Sequence, residues 1–91
     1  MDDLKIELEI INELGLHARA AAQFVKVASK YKSEINVYKD GLTANGKSIM
    51  GVMMLAAPKG SRVVLHARGI DAKDAINDLK TLIENRFGEE R

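Results

Sequence analysis

The chain has 91 residues, 46% of them hydrophobic and 30% charged, and its 14 basic and 13 acidic residues give a net charge of +1. This composition predicts a single globular domain over residues 1–91, and the balanced charge argues against a nucleic-acid-binding protein. Because the sequence has no cysteine, it predicts neither a disulfide nor a thiolate metal site.

The chain begins with an acidic segment, residues 1–3, that lacks the basic and apolar regions of a secretory signal. No apolar run approaches the ~20 residues that a membrane helix requires. We therefore expect a cytoplasmic protein with no membrane insertion.

The spacing of apolar residues predicts the elements of the first half. Residues 4–10 alternate between apolar and polar side chains, which indicates a half-buried strand. From Ala18 to Tyr31 the period becomes helical. Its apolar stripe consists of Ala21, Phe24, Val25 and Ala28. Residues 35–38 alternate again, and Asp40-Gly41 predicts a hairpin turn before a return strand at residues 42–45.

The second half predicts a helix, a strand and a final helix. Ser48 is a natural N-cap for a helix that is apolar on nearly all sides, so we expect Val52 and Leu55 to face inward and other apolar side chains to be exposed. Residues 62–68 predict a strand, on which His66 is an ordinary surface residue. Asp71 is expected to cap the last helix, Gly88 to end it, and residues 89–91 to fray.

The element order is therefore βαββαβα, an α+β arrangement. Placing the strands in one layer and the helices in another is the simplest way to bury one face of each strand and one stripe of each helix.

The candidate functional residues lie where a glycine-containing loop enters the first helix. The start of a helix offers unpaired N–H groups and a positive partial charge, which suit an anion such as phosphate. The same charge favours a neutral His17 whose ring lone pair is free to attack. Arg19 can hold phosphoryl oxygens, and the amides of Ala18 and Arg19 can bind them. Taken alone, this spacing also fits a helix-capping histidine beside a solvated arginine.

Two segments carry a resemblance to a known family. Residues 15–19, Gly-Leu-His-Ala-Arg, resemble the phosphorylation-site motif of HPr, the histidine-containing phosphocarrier family of the bacterial phosphotransferase system. Residues 45–53, Asn-Gly-Lys-Ser-Ile-Met-Gly-Val-Met, resemble the regulatory-serine helix of the same family. The resemblance extends from Leu4 to about Phe87, with Ala20 in the place where many HPr proteins have proline. It implies an open-faced two-layer sandwich with a four-stranded antiparallel sheet and three helices on one side.

The resemblance also implies a function. His17 would accept a phosphoryl group through Nδ1 from a phosphorylated Enzyme I-type protein and pass it to a IIA-type acceptor, while Arg19 stabilises the group in transit. Such a protein is a stoichiometric carrier rather than an enzyme, needs no cofactor or metal, and is expected to be monomeric. Ser48 would be a regulatory phosphorylation site for an HPr kinase/phosphorylase.

Partner docking is predicted on an apolar surface near His17. The exposed side of the second helix would combine there with two alanines of the first helix, and flexible methionines suit docking on several partners in turn. The predicted docking residues are Ala20, Ala22, Ile49, Met50, Met53 and Met54.

Other functions remain open at this stage. Within the family, the methionine-rich helix and residues 85–90 favour the nitrogen-type (NPr-like) branch, whereas the Ser48 segment also fits the sugar-transport branch. A regulatory protein that binds partners according to its phosphorylation state is the alternative. A small RNA-binding α+β domain is disfavoured because only 4% of the residues are aromatic and no strand carries stacking pairs.

Overall fold

A computed structural model describes residues 1–91 and has the predicted order of elements. The strands and α-helices are β1 Asp2–Glu9, α1 Ala18–Ala28, β2 Glu34–Lys39, β3 Leu42–Asn45, α2 Ile49–Met54, β4 Arg62–Gly69 and α3 Ala72–Glu84. A 3₁₀ turn at Arg86–Gly88 follows α3. None of the helices combines the length and the hydrophobicity needed to cross a bilayer.

The strands form one antiparallel sheet in the order β1-β4-β2-β3. Its buried face is built from paired apolar side chains: Leu8 of β1 lies opposite Val63 of β4, and Leu65 of β4 lies opposite Val37 of β2. The three helices cover this face, and α3 packs on β1 and β4. The predicted open-faced α+β sandwich is therefore confirmed.

The turn between β2 and β3 forms as the sequence predicts. Asp40 has a φ of 49° and Gly41 a φ of 80°, the left-handed pair that a two-residue hairpin needs to match the twist of its strands. Asp and Gly tolerate this conformation better than most residues, so the local sequence is sufficient to place the turn.

Several predicted boundaries differ from the structure. The first strand ends at Glu9, and Ile10 lies beyond it although it is fully buried. Helix α1 ends at Ala28 rather than at Tyr31, because the chain tightens there: the N–H of Tyr31 donates to the carbonyl of Ala28, three residues back, at 3.2 Å. The final α-helix likewise ends at Glu84, before Gly88.

Asp71 does not cap α3 with its side chain, contrary to prediction. Its carboxylate accepts hydrogen bonds from the Ser33 hydroxyl and from the backbone N–H groups of Lys32 and Ser33, the two N–H bonds at 2.9 Å. The Ser33 hydroxyl and these amides lower the pKa of the Asp71 carboxyl, although burial opposes them. Asp71 therefore ties the start of α3 to the segment before β2, because these donors outcompete the local amides.

His66 is not an isolated surface residue. Its Nε2 contacts the carboxylate of Asp3 on β1, and its ring centroid lies 6.4 Å from that of Tyr38 on β2. The hydrogen bond with His66 lowers the pKa of Asp3. These contacts link neighbouring strands across the open face of the sheet.

We expect Asp71→Asn to lower the urea midpoint of unfolding, because the amide accepts fewer of the hydrogen bonds from Lys32 and Ser33. Asp74→Asn, on an exposed residue of the same helix turn, is the matched control and should have little effect. Because folding lowers the pKa of Asp71, its contribution is complete above the unfolded value of ~4 and is lost as the pH falls through the folded value. Equal midpoints for the two variants at pH 7 would contradict this role.

Candidate functional site

The loop that leads from β1 into α1 is held by its backbone. Gly15 has a φ of 66°, a left-handed conformation that favours glycine, and its N–H donates to the carbonyl of Asn12 at 3.1 Å. The next N–H, of Leu16, donates to the carbonyl of Ala57 at 2.9 Å. A Cβ on Gly15 would lie 2.4 Å from that carbonyl oxygen. Only glycine therefore lets the loop approach the segment after α2 so closely.

This loop places His17 at the N-cap of α1. His17 is extended, with φ −72° and ψ 179°, and its carbonyl accepts from the N–H of Ala21 at 2.8 Å. Its side chain does not cap the helix. The backbone N–H groups of Ala18 and Arg19 have no backbone acceptor, and both residues are exposed. The site thus combines an imidazole with free amides at the positive end of a helix.

The His17 ring is held from one side only. Nε2 contacts a carboxylate oxygen of Glu89, whereas Nδ1 has no hydrogen-bond partner. The side chain is 28% exposed, and it lies in a shallow depression whose lining also includes Glu13, Leu14, Arg19 and Glu89. The structure therefore brings His17 and Arg19 together and leaves one ring nitrogen available.

Glu89 is the main site residue that the sequence analysis missed, and the prediction that the chain frays from residue 89 is wrong for Glu89 itself. Its side chain is only 13% exposed, and it accepts a hydrogen bond from Asn12 Nδ2 at 3.0 Å. Burial raises the pKa of the Glu89 carboxyl, but hydrogen bonds from Asn12 and His17 and the nearby charges outweigh burial and lower it. The carboxyl is therefore ionised at neutral pH. No local sequence pattern points to this contact.

Helix α2 divides its apolar residues between two environments. The Ser48 side chain accepts from the N–H of Gly51 at 3.0 Å, which confirms the predicted N-cap. Val52 and Leu55 are buried, as predicted. Met50 and Met54 are 73% and 75% exposed, and Ile49 and Met53 are also exposed. A short helix thus presents an uncovered apolar surface.

The prediction that Ala20 is a docking residue is wrong. Ala20 is completely buried, because it lies on the side of α1 that packs into the core, and it cannot contact a partner. Ala22 is exposed. The sequence analysis also omitted Leu14, which is 68% exposed and lines the depressions on either side of His17. We call Leu14, Ala22 and the exposed residues of α2 (Ile49, Met50, Met53 and Met54) the apolar surface.

No group of three His, Asp or Glu side chains is arranged to hold a metal ion. The polar groups at the site instead consist of one imidazole, one guanidinium, free amides and the Glu89 carboxylate. Their chemistry suits the binding and transfer of an anion.

Comparison with known proteins agrees with this chemistry. The family model described as "PTS HPr component phosphorylation site" matches residues 4–85. The phosphocarrier protein HPr of Neisseria meningitidis is 52% identical over 86 residues, which cover 94% of this chain and 97% of the relative. A crystal structure of HPr-C-His from Thermoanaerobacter tengcongensis has a TM-score of 0.90 and 50% identity, with both chains fully covered. A crystal structure of an HPr dimer from the same organism has a TM-score of 0.77 and 52% identity, covering 90% of this chain and 94% of the other.

We expect Gly15→Ala to destabilise the protein by ~3 kcal/mol or more, because the substitution combines a left-handed φ with a clash against the Ala57 carbonyl. The control is Gly60→Ala, which has a φ of 90° but no heavy atom within 4 Å of an added Cβ. It should cost about 1 kcal/mol. Urea unfolding measures both, and equal losses would show that the close approach of Gly15 to Ala57 is unimportant.

Proposed function

The chain belongs to the HPr family, the phosphocarriers of the phosphotransferase system, and on that premise we propose that His17 accepts and donates the phosphoryl group. The group comes from a phosphohistidine of an Enzyme I-type protein and passes to a histidine of a IIA-type acceptor. The observation that carries this proposal is the unpartnered Nδ1 of His17 beside the free amides of Ala18 and Arg19.

The role of each site residue follows from the negative charge of the phosphoryl group that is transferred. The Nδ1 lone pair attacks phosphorus, and the phosphoryl oxygens approach the first turn of α1. The N–H groups of Ala18 and Arg19 bind them, and the Arg19 guanidinium neutralises part of their charge. Phosphoryl transfer depends mainly on positioning and electrostatics, so the site needs no cofactor. The protein is a stoichiometric carrier and not a catalyst.

We assign partner docking to the apolar surface. All of its members are exposed, and all except Ala22 are large and hydrophobic, which is typical of interaction sites. Methionine side chains adapt to different partner shapes, and a carrier that meets two partners in turn needs contacts that are small and transient. We also assign a monomeric working state, because each partner must reach His17 and the same surface.

Ser48 is assigned a regulatory role through phosphorylation by an HPr kinase/phosphorylase. A phosphate on its hydroxyl would lie at the start of α2 without opposing the helix dipole. It would also place nearly two negative charges beside the exposed Ile49 and Met50. A partner that buries those side chains would then have to desolvate the phosphate, so docking would weaken without any change at His17.

The branch of the family, nitrogen-type or sugar-transport, depends on which acceptor protein receives the phosphoryl group. The methionine-rich α2 is consistent with the nitrogen-type assignment, in which the protein acts as a regulator rather than in sugar transport. A regulator that binds partners according to phosphorylation state uses the same His17 and Ser48 sites. The two functions differ in whether the phosphoryl group moves on to an acceptor.

The direct test is phosphorylation by Enzyme I and phosphoenolpyruvate, followed by mass measurement. The wild type should gain one phosphoryl group and lose it to a IIA-type protein, whereas His17→Ala should gain none. Arg19→Ala should slow transfer by roughly 100-fold, the loss typical of one stabilising donor; Lys26→Ala, on an exposed cation later in α1, is the control. An unmodified wild type, with an Enzyme I that is active on another carrier, would rule the proposal out.

For Ser48, we expect Ser48→Asp to weaken binding to the Enzyme I-type partner by about 10-fold, or ~1.4 kcal/mol. Ser48→Asn is the matched control, because asparagine keeps a good N-cap without adding charge. Calorimetric titration compares the affinities. Equal weakening in both variants would show that the cap, and not the charge, matters for docking.

A further inference from the structure

We propose that Glu89 is a positioning residue for phosphoryl transfer: its carboxylate keeps the proton of His17 on Nε2, so that Nδ1 presents its lone pair. Glu89 lies outside residues 4–85, the segment that the family model matches. The inference rests on the proposed function of His17, and its test separates the failure of one from the failure of the other.

The end of the chain is folded in a way that brings Glu89 to His17. Arg86, Phe87 and Gly88 all have left-handed backbones, with φ values of 56°, 55° and 77°. Such conformations are unfavourable for non-glycine residues. The Phe87 side chain is only 2% exposed, and its burial offsets that cost. The tail is therefore anchored in the core immediately before Glu89.

A second set of contacts holds the tail against the loop before α1. The amide of Asn12 is fully buried and donates both to Glu89 Oε1 at 3.0 Å and to the Gly15 carbonyl at 2.9 Å. Beside it, the N–H of Glu13 donates to the Arg91 carbonyl at 3.0 Å. Both partners of the Asn12 amide are acceptors, which fixes its orientation. The carboxylate of Glu89 thus has one oxygen on Asn12 and the other on His17.

This arrangement determines which ring nitrogen carries the proton. An ionised carboxylate can only accept hydrogen bonds, so Nε2 must be the donor. A neutral imidazole has one N–H and one lone pair. The lone pair is therefore on Nδ1, the nitrogen that has no partner in the protein.

The transfer step balances without any movement of that proton. The Nδ1 lone pair forms the new N–P bond as the P–N bond of the donor breaks, and the bonding pair returns to the donor ring. When His17 passes the group on, the N–P bonding pair returns to Nδ1. In between, the phosphorylated ring keeps its Nε2–H and a positive charge, which Glu89 balances. A ring that leaves as neutral imidazole is a better leaving group than one that leaves as an anion.

The sharpest variant is Glu89→Gln. Asn12 must find an acceptor at the former Oε1 position, so the glutamine oxygen turns toward Asn12 and its NH₂ group toward His17. That NH₂ donates to Nε2, which drives the ring proton to Nδ1 and blocks the nucleophile. Glu89→Ala removes the contact without reversing it, and should have a smaller effect. Glu90→Gln changes the charge by the same amount on an exposed neighbour and is the control.

Two measurements on the 91-residue chain test whether Glu89 positions the His17 ring. The ¹⁵N chemical shifts of the His17 ring, recorded where the ring is neutral, should show the Nε2–H tautomer in the wild type and in Glu90→Gln, and the Nδ1–H tautomer in Glu89→Gln. Transfer from phospho-Enzyme I should slow by roughly 10- to 100-fold in Glu89→Gln, by analogy with the loss of a partner that orients a metal-ligating histidine.

An unchanged tautomer in Glu89→Gln, or transfer as fast as or faster than in the wild type, overturns the positioning role. The faster rate would instead mean that the tail obstructs His17. If the wild type is never phosphorylated, the proposed function fails, whereas the tautomer measurement still decides whether Glu89 positions the ring.

Discussion

The first turn of α1 contains backbone N–H groups for which the helix itself has no acceptors. The candidate site depends on these unpaired N–H groups. Many proteins satisfy such groups with the side chain at the N-cap, but His17 does not do so. The amides of Ala18 and Arg19 remain free and exposed, and the positive end of the helix stays uncompensated. An anion from outside the chain is the natural partner for these groups, and a transferred phosphoryl group fits them.

The surface around His17 has two parts: a loop that is fixed by a backbone hydrogen bond, and a group of exposed apolar side chains on α2. The N–H of Leu16 holds the loop on the segment after α2 by donating to the Ala57 carbonyl, and Gly15 permits this close approach. Both helices also contribute buried side chains to the core of the domain. The methionines of α2, by contrast, remain largely exposed to solvent, Met50 and Met54 most of all. In the proposed function, rigidity at His17 reduces the cost of orienting the reacting atoms, and the adaptable side chains of the apolar surface suit docking on more than one partner.

Much of the fold follows from local patterns. The alternation of apolar and polar residues predicts the strands, Asp40-Gly41 predicts the hairpin turn, and Ser48 predicts the start of α2. Each of these signals acts within a few residues, so the sequence is sufficient to show it. The errors occur where tertiary contacts compete with local ones. Asp71 binds donors around Ser33 rather than its own helix. Ala20 lies in a run of alanines, residues 20–22, whose uniform composition does not show which member faces the core, and the structure buries Ala20.

The sequence by itself determined the order of elements, the position of His17 at the start of a helix, the companion Arg19 and the exposure of α2, because helix starts and apolar periodicity are properties of neighbouring residues. Only the tertiary structure decided what contacts the His17 ring. Glu89 is 72 positions away along the chain, and it reaches Nε2 because Phe87 is buried and the backbone around it is left-handed. A contact over that separation depends on how the core packs, which local periodicity does not encode.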